Sequence, residues 1–199
     1  MSRLTLSVCA IVAACGSAAT PQAQAGPQSA PQAAGTHANE NGPALSTAAG
    51  GDRALAAAPK HPTPFTAEQI RGATKAGRTY RYRVEVGDKP PSERVISFVS
   101  VDADGAVMAT PGEPNKRVTW EQLRQHAEFP APLVMTREES ITTPAGKFDC
   151  IVYVVLGEDG EASTFYFAKT LPGAPVQFSI AKEGRRVMIS TLVEHRPGK

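Results

Sequence analysis

The sequence predicts a mainly β domain with two short helices, built as a curved antiparallel sheet or half-barrel and preceded by a disordered tether. Large side chains are unevenly distributed, since all 7 Phe, all 4 Tyr and the single Trp lie at or beyond Phe65. Apolar and polar residues then alternate in short runs that tight turns separate. Two Thr-x-x-Gln capping boxes, beginning at Thr66 and Thr119, mark the starts of two short helices.

The predicted elements follow one another closely from Phe65 onward. Because a parallel pair of strands needs a long crossover, strands joined by tight turns should form an antiparallel meander. The resulting sheet must have one apolar face covered by a helix, by a second sheet or by curling over a cavity. In chain order the elements are a helix (67–75), three strands (80–86, 94–101, 106–110), a helix (120–129) and five strands (133–143, 147–156, 162–169, 176–182, 186–195).

The first residues have the pattern of a secretory signal peptide. Arg3 supplies a positive charge, and residues 4–14 are an uncharged, mainly apolar run. This run is too short to span a membrane, which takes ~20 helical residues. It ends in Val12-Ala13-Ala14-Cys15, which resembles the lipobox of bacterial lipoproteins. The resemblance implies cleavage before Cys15 and attachment of palmitate-type acyl chains to its thiol.

The same resemblance sets the expected organisation and location of the chain. Residues 1–14 would be the signal peptide, 15–64 the lipidated cysteine with a disordered linker, and 65–199 a β-rich periplasmic domain. The lipid would anchor the protein in the cell envelope, and Gly16 in place of Asp favours the outer membrane, with the domain facing the periplasm. Ordinary secretion, with cleavage at a small residue such as Ala19 or Ala25, is the alternative.

The predicted linker, residues 16–64, contains no Phe, Tyr, Trp, Val or Ile. Such a segment buries too little surface to offset the cost of ordering a backbone, ~1–2 kcal/mol per residue. Its root-mean-square reach is roughly 35–40 Å, so the domain could work well away from the bilayer. His37 and His61 lie here apart from any other ligand type, and no metal site is predicted.

A family resemblance covers residues 143–195. Its motifs are Thr143-Pro-Ala-Gly-Lys-Phe-Asp-Cys150, a strand containing Tyr153, Thr164-Phe-Tyr-Phe-Ala-Lys169 and Leu171-Pro-Gly-Ala-Pro-Val176. They resemble a pattern in bacterial envelope domains that are similar to the half-barrel of the LolA/LolB lipoprotein-localisation and outer-membrane lipoprotein-sorting superfold. Since the motif residues are mostly structural, the resemblance supports a half-barrel fold more than a function.

Aromatic residues on the predicted strands are the candidate binding residues. In a half-barrel they would face an apolar ligand, either an acyl chain or a lipoprotein. The same side chains could instead fill an ordinary core, and the protein would then be a structural or adaptor lipoprotein that docks on another envelope protein. The candidates are Tyr80, Tyr82, Phe98, Phe148, Phe165, Phe167 and Phe178.

The sequence contains no catalytic motif, and we expect a protein that is not an enzyme and takes no cofactor or metal. Cys150 with His126 or His195 would make a nucleophile–base pair. However, Cys150 alternates with Phe148 and Val152 along one strand face, which favours a buried structural thiol. Asp102-Ala-Asp-Gly105 has two ligand-type residues of a calcium loop without the later ones, and favours a plain turn.

Charge gives little indication of a polyanionic partner. The formal net charge is +2, from 21 Lys and Arg against 19 Asp and Glu, and the charges are spread through the chain, so no nucleic-acid binding is expected. Arg78, Arg81, Arg83 and the Arg185-Arg186 pair could form a basic surface. Alternating charge on the exposed face of an antiparallel sheet is common, and a solvated face is the simpler interpretation.

Overall fold

The computed structural model describes residues 58–157 and 160–199. The predicted signal peptide, Cys15, His37 and most of the predicted tether lie outside these residues. None of the helices in the described part of the chain has the length and apolar composition that crossing a bilayer requires.

In the described residues, nine strands form one open, fully antiparallel sheet, in the order β4-β3-β2-β1-β9-β8-β7-β6-β5. Strands that are consecutive in the chain pair with each other, except β4 and β5, which lie at opposite edges of the sheet. The last strand, β9, returns to lie beside β1 and joins the two halves. The strands are β1 (Thr79–Val86), β2 (Ser92–Val101), β3 (Gly105–Ala109), β4 (Lys116–Thr119), β5 (Val134–Thr143), β6 (Gly146–Leu156), β7 (Glu161–Ala168), β8 (Gln177–Lys182) and β9 (Arg185–Arg196).

The predicted fold class, a mainly β antiparallel sheet with two short helices, is confirmed. The sequence pattern did not predict β4, whose 4 residues are too few to show alternation. It also extended the second helix to residue 129, whereas the helix ends at Gln125. Beyond Gln125 the Ala127 and Glu128 N–H groups donate to carbonyls three residues back, those of Arg124 and Gln125, so the chain tightens into turns and the α-helix does not continue.

The two helices, α1 (Ala67–Ala73) and α2 (Trp120–Gln125), begin at the predicted capping boxes. Thr66 Oγ1 accepts a hydrogen bond from the Gln69 N–H at 3.1 Å, and Gln69 Oε1 accepts one from the Thr66 N–H at 2.8 Å. Thr119 and Gln122 repeat this geometry. Isolated helices this short are marginal in water, so the caps and the burial of Ile70 and Trp120 hold them.

One face of the sheet, here called the aromatic face, carries most of the core. Phe165 lies opposite both Tyr153 on β6 and Phe178 on β8, and Tyr82 lies opposite Leu192 on β9. All five side chains are buried. Residues from outside the sheet complete this core: Phe65, Ile70, Trp120 and Phe129 are buried as well.

The folded domain begins several residues before Phe65. The Ala131 N–H donates to the Pro59 carbonyl and the His61 N–H to the Phe129 carbonyl, both at 2.8 Å. Tyr153 Oη donates to the Pro62 carbonyl at 2.6 Å. Residues 59–62, at the end of the predicted linker, therefore lie against the domain and hydrogen-bond to it.

Candidate functional site

The predicted binding residues are brought together on the aromatic face, with one exception. Phe165 stacks on Phe178 with ring centroids 4.7 Å apart and lies 5.9 Å from Phe167. Phe129 and Phe65, from outside the sheet, contact these rings at 5.2 and 6.3 Å. The aromatic rings thus pack on one another and on the protein's own covering segments.

The tyrosines continue this packing towards β2. Tyr80 and Tyr82 have centroids 6.1 Å apart, and Tyr80 meets Phe98 edge to face at 6.3 Å. Burial raises the pKa of Tyr80 to about 12 and also raises that of Tyr82, so both phenols are neutral at physiological pH. Phe148 is the exception, because its position along β6 places it on the opposite face, with Cys150, where it is half-buried.

The turn Leu171-Pro-Gly-Ala-Pro-Val176, part of the family-like motif, is held by β1 and the residue before it. Arg78 Nη1 donates to the Pro172 carbonyl and Tyr82 Oη to the Pro175 carbonyl, each at 3.1 Å. Gly173 has φ +128°, and a Cβ there would lie 3.3 Å from Tyr80 Oη. The motif therefore has a structural role, which is to pack this turn against Tyr80 and Tyr82.

Arg78 is a buried cation, only 1% exposed. Its Nε donates to His195 Nε2 at 3.3 Å, its Nη1 donates to Thr74 Oγ1 at 3.0 Å, and its guanidinium lies 4.9 Å from the Tyr80 ring centroid. No carboxylate among the described residues forms an ion pair with it. The neutral acceptors and the Tyr80 π face therefore compensate its charge.

The hydrogen bond from Arg78 determines the protonation state of His195. An arginine Nε can only donate, so His195 Nε2 must be the acceptor and the ring must be neutral. Burial, together with the positive charge of Arg78, lowers the pKa of His195. His195 thus has a structural role as a hydrogen-bond acceptor at the end of β9.

The basic surface that the sequence offered as an alternative to a solvated face does not form along β1, because Arg78 is buried and Arg81 and Arg83 are paired. Arg81 contacts Glu194 at 2.7 Å, and Arg83 contacts Glu85 at 2.9 Å. Arg81 also lines a shallow depression of about 220 Å³ on the outer face of the sheet, with Thr79, Val95, Glu194 and Arg196. This surface carries both signs of charge, as a solvated sheet face does.

Cys150 does not form a nucleophile–base pair. Its thiol is 1% exposed and donates weakly to the Phe148 carbonyl at 3.7 Å. Burial, with the nearby Asp149 and Glu139 carboxylates, raises the pKa of Cys150 to about 11, so the thiol stays protonated. Among the described residues neither His126 nor His195 hydrogen-bonds to it, and no group of His, Cys, Asp and Glu is arranged to hold a metal ion.

An exposed sheet edge, here called the β5 edge, was not predicted from the sequence. β5 is the outermost strand, 10 residues long, and pairs with β6 without a bulge. Every residue from Met135 to Ser140 is exposed, Met135 to 56%. An available signal was the loss of alternation in Thr-Arg-Glu-Glu-Ser, since a strand covered on one face keeps apolar residues at every second position.

The described residues thus define an open antiparallel β domain with a packed aromatic face and one long free edge. In structure it is similar to MucB in complex with MucA(peri), at 13% identity and TM-score 0.45 over 67% of this chain and 53% of that chain. It is also similar to the MucA/MucB complex of Pseudomonas aeruginosa, at 13% identity and TM-score 0.42 over 65% and 53%.

A predicted lipoprotein of Parabacteroides distasonis is a further structural neighbour, at 11% identity and TM-score 0.38 over 67% of this chain and 98% of that one. The chain spans about half the length of the MucB-complex chains that it matches. No protein-family model and no curated protein sequence matches it. At these identities and TM-scores the likenesses assign neither function nor partner.

Proposed function

We propose that this protein is a non-enzymatic envelope lipoprotein, anchored through Cys15, whose folded domain acts by docking on another protein. The observation that carries the proposal is the state of the aromatic face. Side chains that could have lined a ligand cavity are in ring-to-ring contact, with Phe65 and Phe129 packed over them. A domain filled in this way has its outer surfaces and edges left for function.

An apolar ligand would have to displace these contacts. Pockets for small ligands have volumes of ~300–1,000 Å³. Opening such a space beside Phe165 would separate it from Phe178 and Phe129, whose centroids lie 4.7 and 5.2 Å away. Aromatic pairs contribute ~0.5–1.5 kcal/mol each beyond the surface that they bury. The packing therefore favours the adaptor function over the binding of an acyl chain.

The absence of enzymatic activity is part of the proposal. Cys150 is buried and protonated, and His195 accepts a hydrogen bond from Arg78. A nucleophile needs a thiolate and a nearby base, and this arrangement supplies neither.

An apolar fluorescent probe tests whether the domain is filled. We expect the wild-type chain to bind no small apolar probe such as 1,8-anilinonaphthalene sulfonate at pH 7, whereas Phe178→Ala, which removes a buried ring, should gain a saturable site. Phe178→Leu keeps most of the volume and serves as the matched control, folded even if the alanine variant is not. Saturable binding by the wild type, undiminished in Phe178→Leu, would contradict the proposal.

Membrane fractionation tests the anchor. The full chain should partition into the detergent phase of Triton X-114, and Cys15→Ser should move to the aqueous phase, because two or three acyl chains anchor a protein effectively permanently. Separation of inner and outer membranes on a sucrose gradient tests the outer-membrane location. Equal partitioning of wild type and Cys15→Ser would exclude lipid anchoring at this residue.

A further inference from the structure

We propose that two copies of this chain associate through their β5 edges, which pair antiparallel about a two-fold axis at Glu138. This inference goes beyond the docking function proposed above and does not depend on it. It rests on the backbone geometry of the β5–β6 hairpin and on the order of side chains along β5.

The hairpin turn determines which backbone groups of β5 are free. Thr143 pairs with Gly146 across the two-residue turn Pro144-Ala145, and a turn of this length closes with a hydrogen-bonded pair. Hydrogen-bonded and non-hydrogen-bonded pairs alternate along an antiparallel ladder. The odd-numbered residues of β5 therefore bond to β6, and the N–H and C=O groups of the even-numbered residues point away from the sheet.

Within the described residues, the outward backbone groups of Thr136, Glu138, Ser140 and Thr142 have no backbone partner, whereas the Val134 N–H donates to the Ala131 carbonyl. A second β5 strand can satisfy them only in registers that place even-numbered residues opposite even-numbered ones. Pairing Glu138 with Glu138 of the second copy meets this condition. It uses β5 from Val134 to Thr142, with two hydrogen bonds for each even-numbered pair within residues 136–140 and one, from the Thr142 N–H to the Val134 carbonyl, at each end.

In this register the side chains of the odd-numbered β5 residues are complementary to those of the second copy. Along one face β5 presents Met135, Arg137, Glu139 and Ile141, in the order apolar, positive, negative, apolar. Reversing the second strand places Arg137 opposite its Glu139 and Met135 opposite its Ile141. Opposite-charge and apolar cross-strand pairs stabilise antiparallel strands. The pairing would also cover Met135, which is among the most exposed large apolar side chains of the described residues.

The even-numbered row is compatible with the same register. It places Thr136 opposite Ser140 of the second copy, and Glu138 opposite its equivalent at the axis. Lys169 Nζ lies 2.7 Å from Glu138 Oε2 in each copy, which compensates the like charges. Both partners are well exposed, so water and salt screen the remaining repulsion.

The neighbouring registers are less favourable. Moving the axis to residue 137 sets Arg137 against Arg137, and moving it to residue 139 sets Glu139 against Glu139. Charges on an edge strand normally prevent association with other edges. Here they disfavour arbitrary partners while admitting the strand's own two-fold image, which is the isologous contact of a symmetric dimer.

The other candidates for pairing with this edge fit less well. β4, at the opposite side of the sheet, has 4 residues and leads directly into α2. Residues 16–57 of the same chain are interrupted by Pro and Gly and hold no Val, Ile, Phe, Tyr or Trp, a composition that is depleted in strands.

Disulfide trapping tests the position of the axis. In the full chain purified from membranes, Glu138→Cys should form an intermolecular disulfide under mild oxidation, because Cα atoms in a hydrogen-bonded pair lie ~5.5 Å apart, within disulfide range. Thr142→Cys is the matched control. Its two copies would lie roughly 27 Å apart, at ~3.4 Å per residue, and should not cross-link. Equal cross-linking of both variants, or of neither, would overturn the proposal.

Charge reversal tests the side-chain pairing. Arg137→Glu should weaken the dimer at least about tenfold in sedimentation equilibrium, since the symmetry changes two cross-strand pairs at once. The double variant Arg137→Glu, Glu139→Arg restores opposite charges and should recover wild-type association. A double variant as weak as the single one, or a wild type that stays monomeric at ~100 μM, would refute the pairing. Cross-linking of Glu138→Cys to a different protein would also refute it, while leaving the docking function intact.

Discussion

Replacing Arg78 by alanine should destabilise the domain markedly, although the sequence suggests a surface arginine. The side chain donates to His195, Thr74 and the Pro172 carbonyl at 3.3, 3.0 and 3.1 Å. Net contributions of about 1 kcal/mol per hydrogen bond give a loss of about 3 kcal/mol in the free energy of unfolding. For a domain of this size the loss corresponds to a drop of about 10 °C in Tm.

Urea denaturation of the full chain, followed by tryptophan fluorescence, measures this change, because Trp120 is buried. The midpoint should fall while the m-value stays constant. Arg81→Ala is the matched control, since Arg81 makes only partly exposed ion pairs, at 3.7 and 2.7 Å, and should cost less than about 1 kcal/mol. If Arg78→Ala costs no more than Arg81→Ala, the assignment of Arg78 as a buried structural cation is wrong.

Three further predictions concern the same core. The pKa of His195 is lowered in the folded state, so the unfolded chain binds the proton more readily and stability should fall as the pH drops below about 6.5. Burial also lowers the pKa of His126, so His195→Gln should reduce the slope of this profile without removing it, and an unchanged profile would contradict the contact with Arg78. Gly173→Ala should lower the free energy of unfolding by about 1–3 kcal/mol, because of the φ of +128° and the nearby Tyr80 Oη. Gly72→Ala, inside α1 with open space around the new Cβ, should raise it by about 0.5–1 kcal/mol. Shifts of Tm in the same direction for both variants would contradict these two expectations. Cys150, with a pKa raised to about 11, should react with Ellman's reagent at pH 8 only after unfolding, and rapid native labelling would disprove its burial.

Local sequence patterns were sufficient to predict most of the helices and strands. The capping boxes located both helix starts, because a Thr followed three residues later by a Gln satisfies backbone groups without tertiary help. The alternation along β1 also indicates where Arg78 lies. Arg78 is two residues before Tyr80 and four before Tyr82, so a period of two places its side chain on the aromatic face rather than on a basic surface.

The faces of β6 and the position of β5 depend on non-local pairing. Cys150 and Val152 are buried on one face of β6, and Tyr153 and Val155 on the other, so the pattern alone could not say which side met the aromatic core. Likewise, the loss of alternation within Val134–Thr143 indicates an exposed strand, but it does not determine beside which strand or at which edge of the sheet β5 lies. The return of β9 to β1 fixes the strand order, and turn chemistry cannot predict such a long-range pairing.

Native mass spectrometry of the full chain purified from membranes tests most directly whether the aromatic face is filled. We expect the mass of the mature chain with the covalent acyl groups on Cys15, as a monomer or a dimer, and no further apolar molecule. A lipid or fatty acid that leaves only on unfolding, at one equivalent per chain, would contradict the filled domain and restore the ligand-binding function.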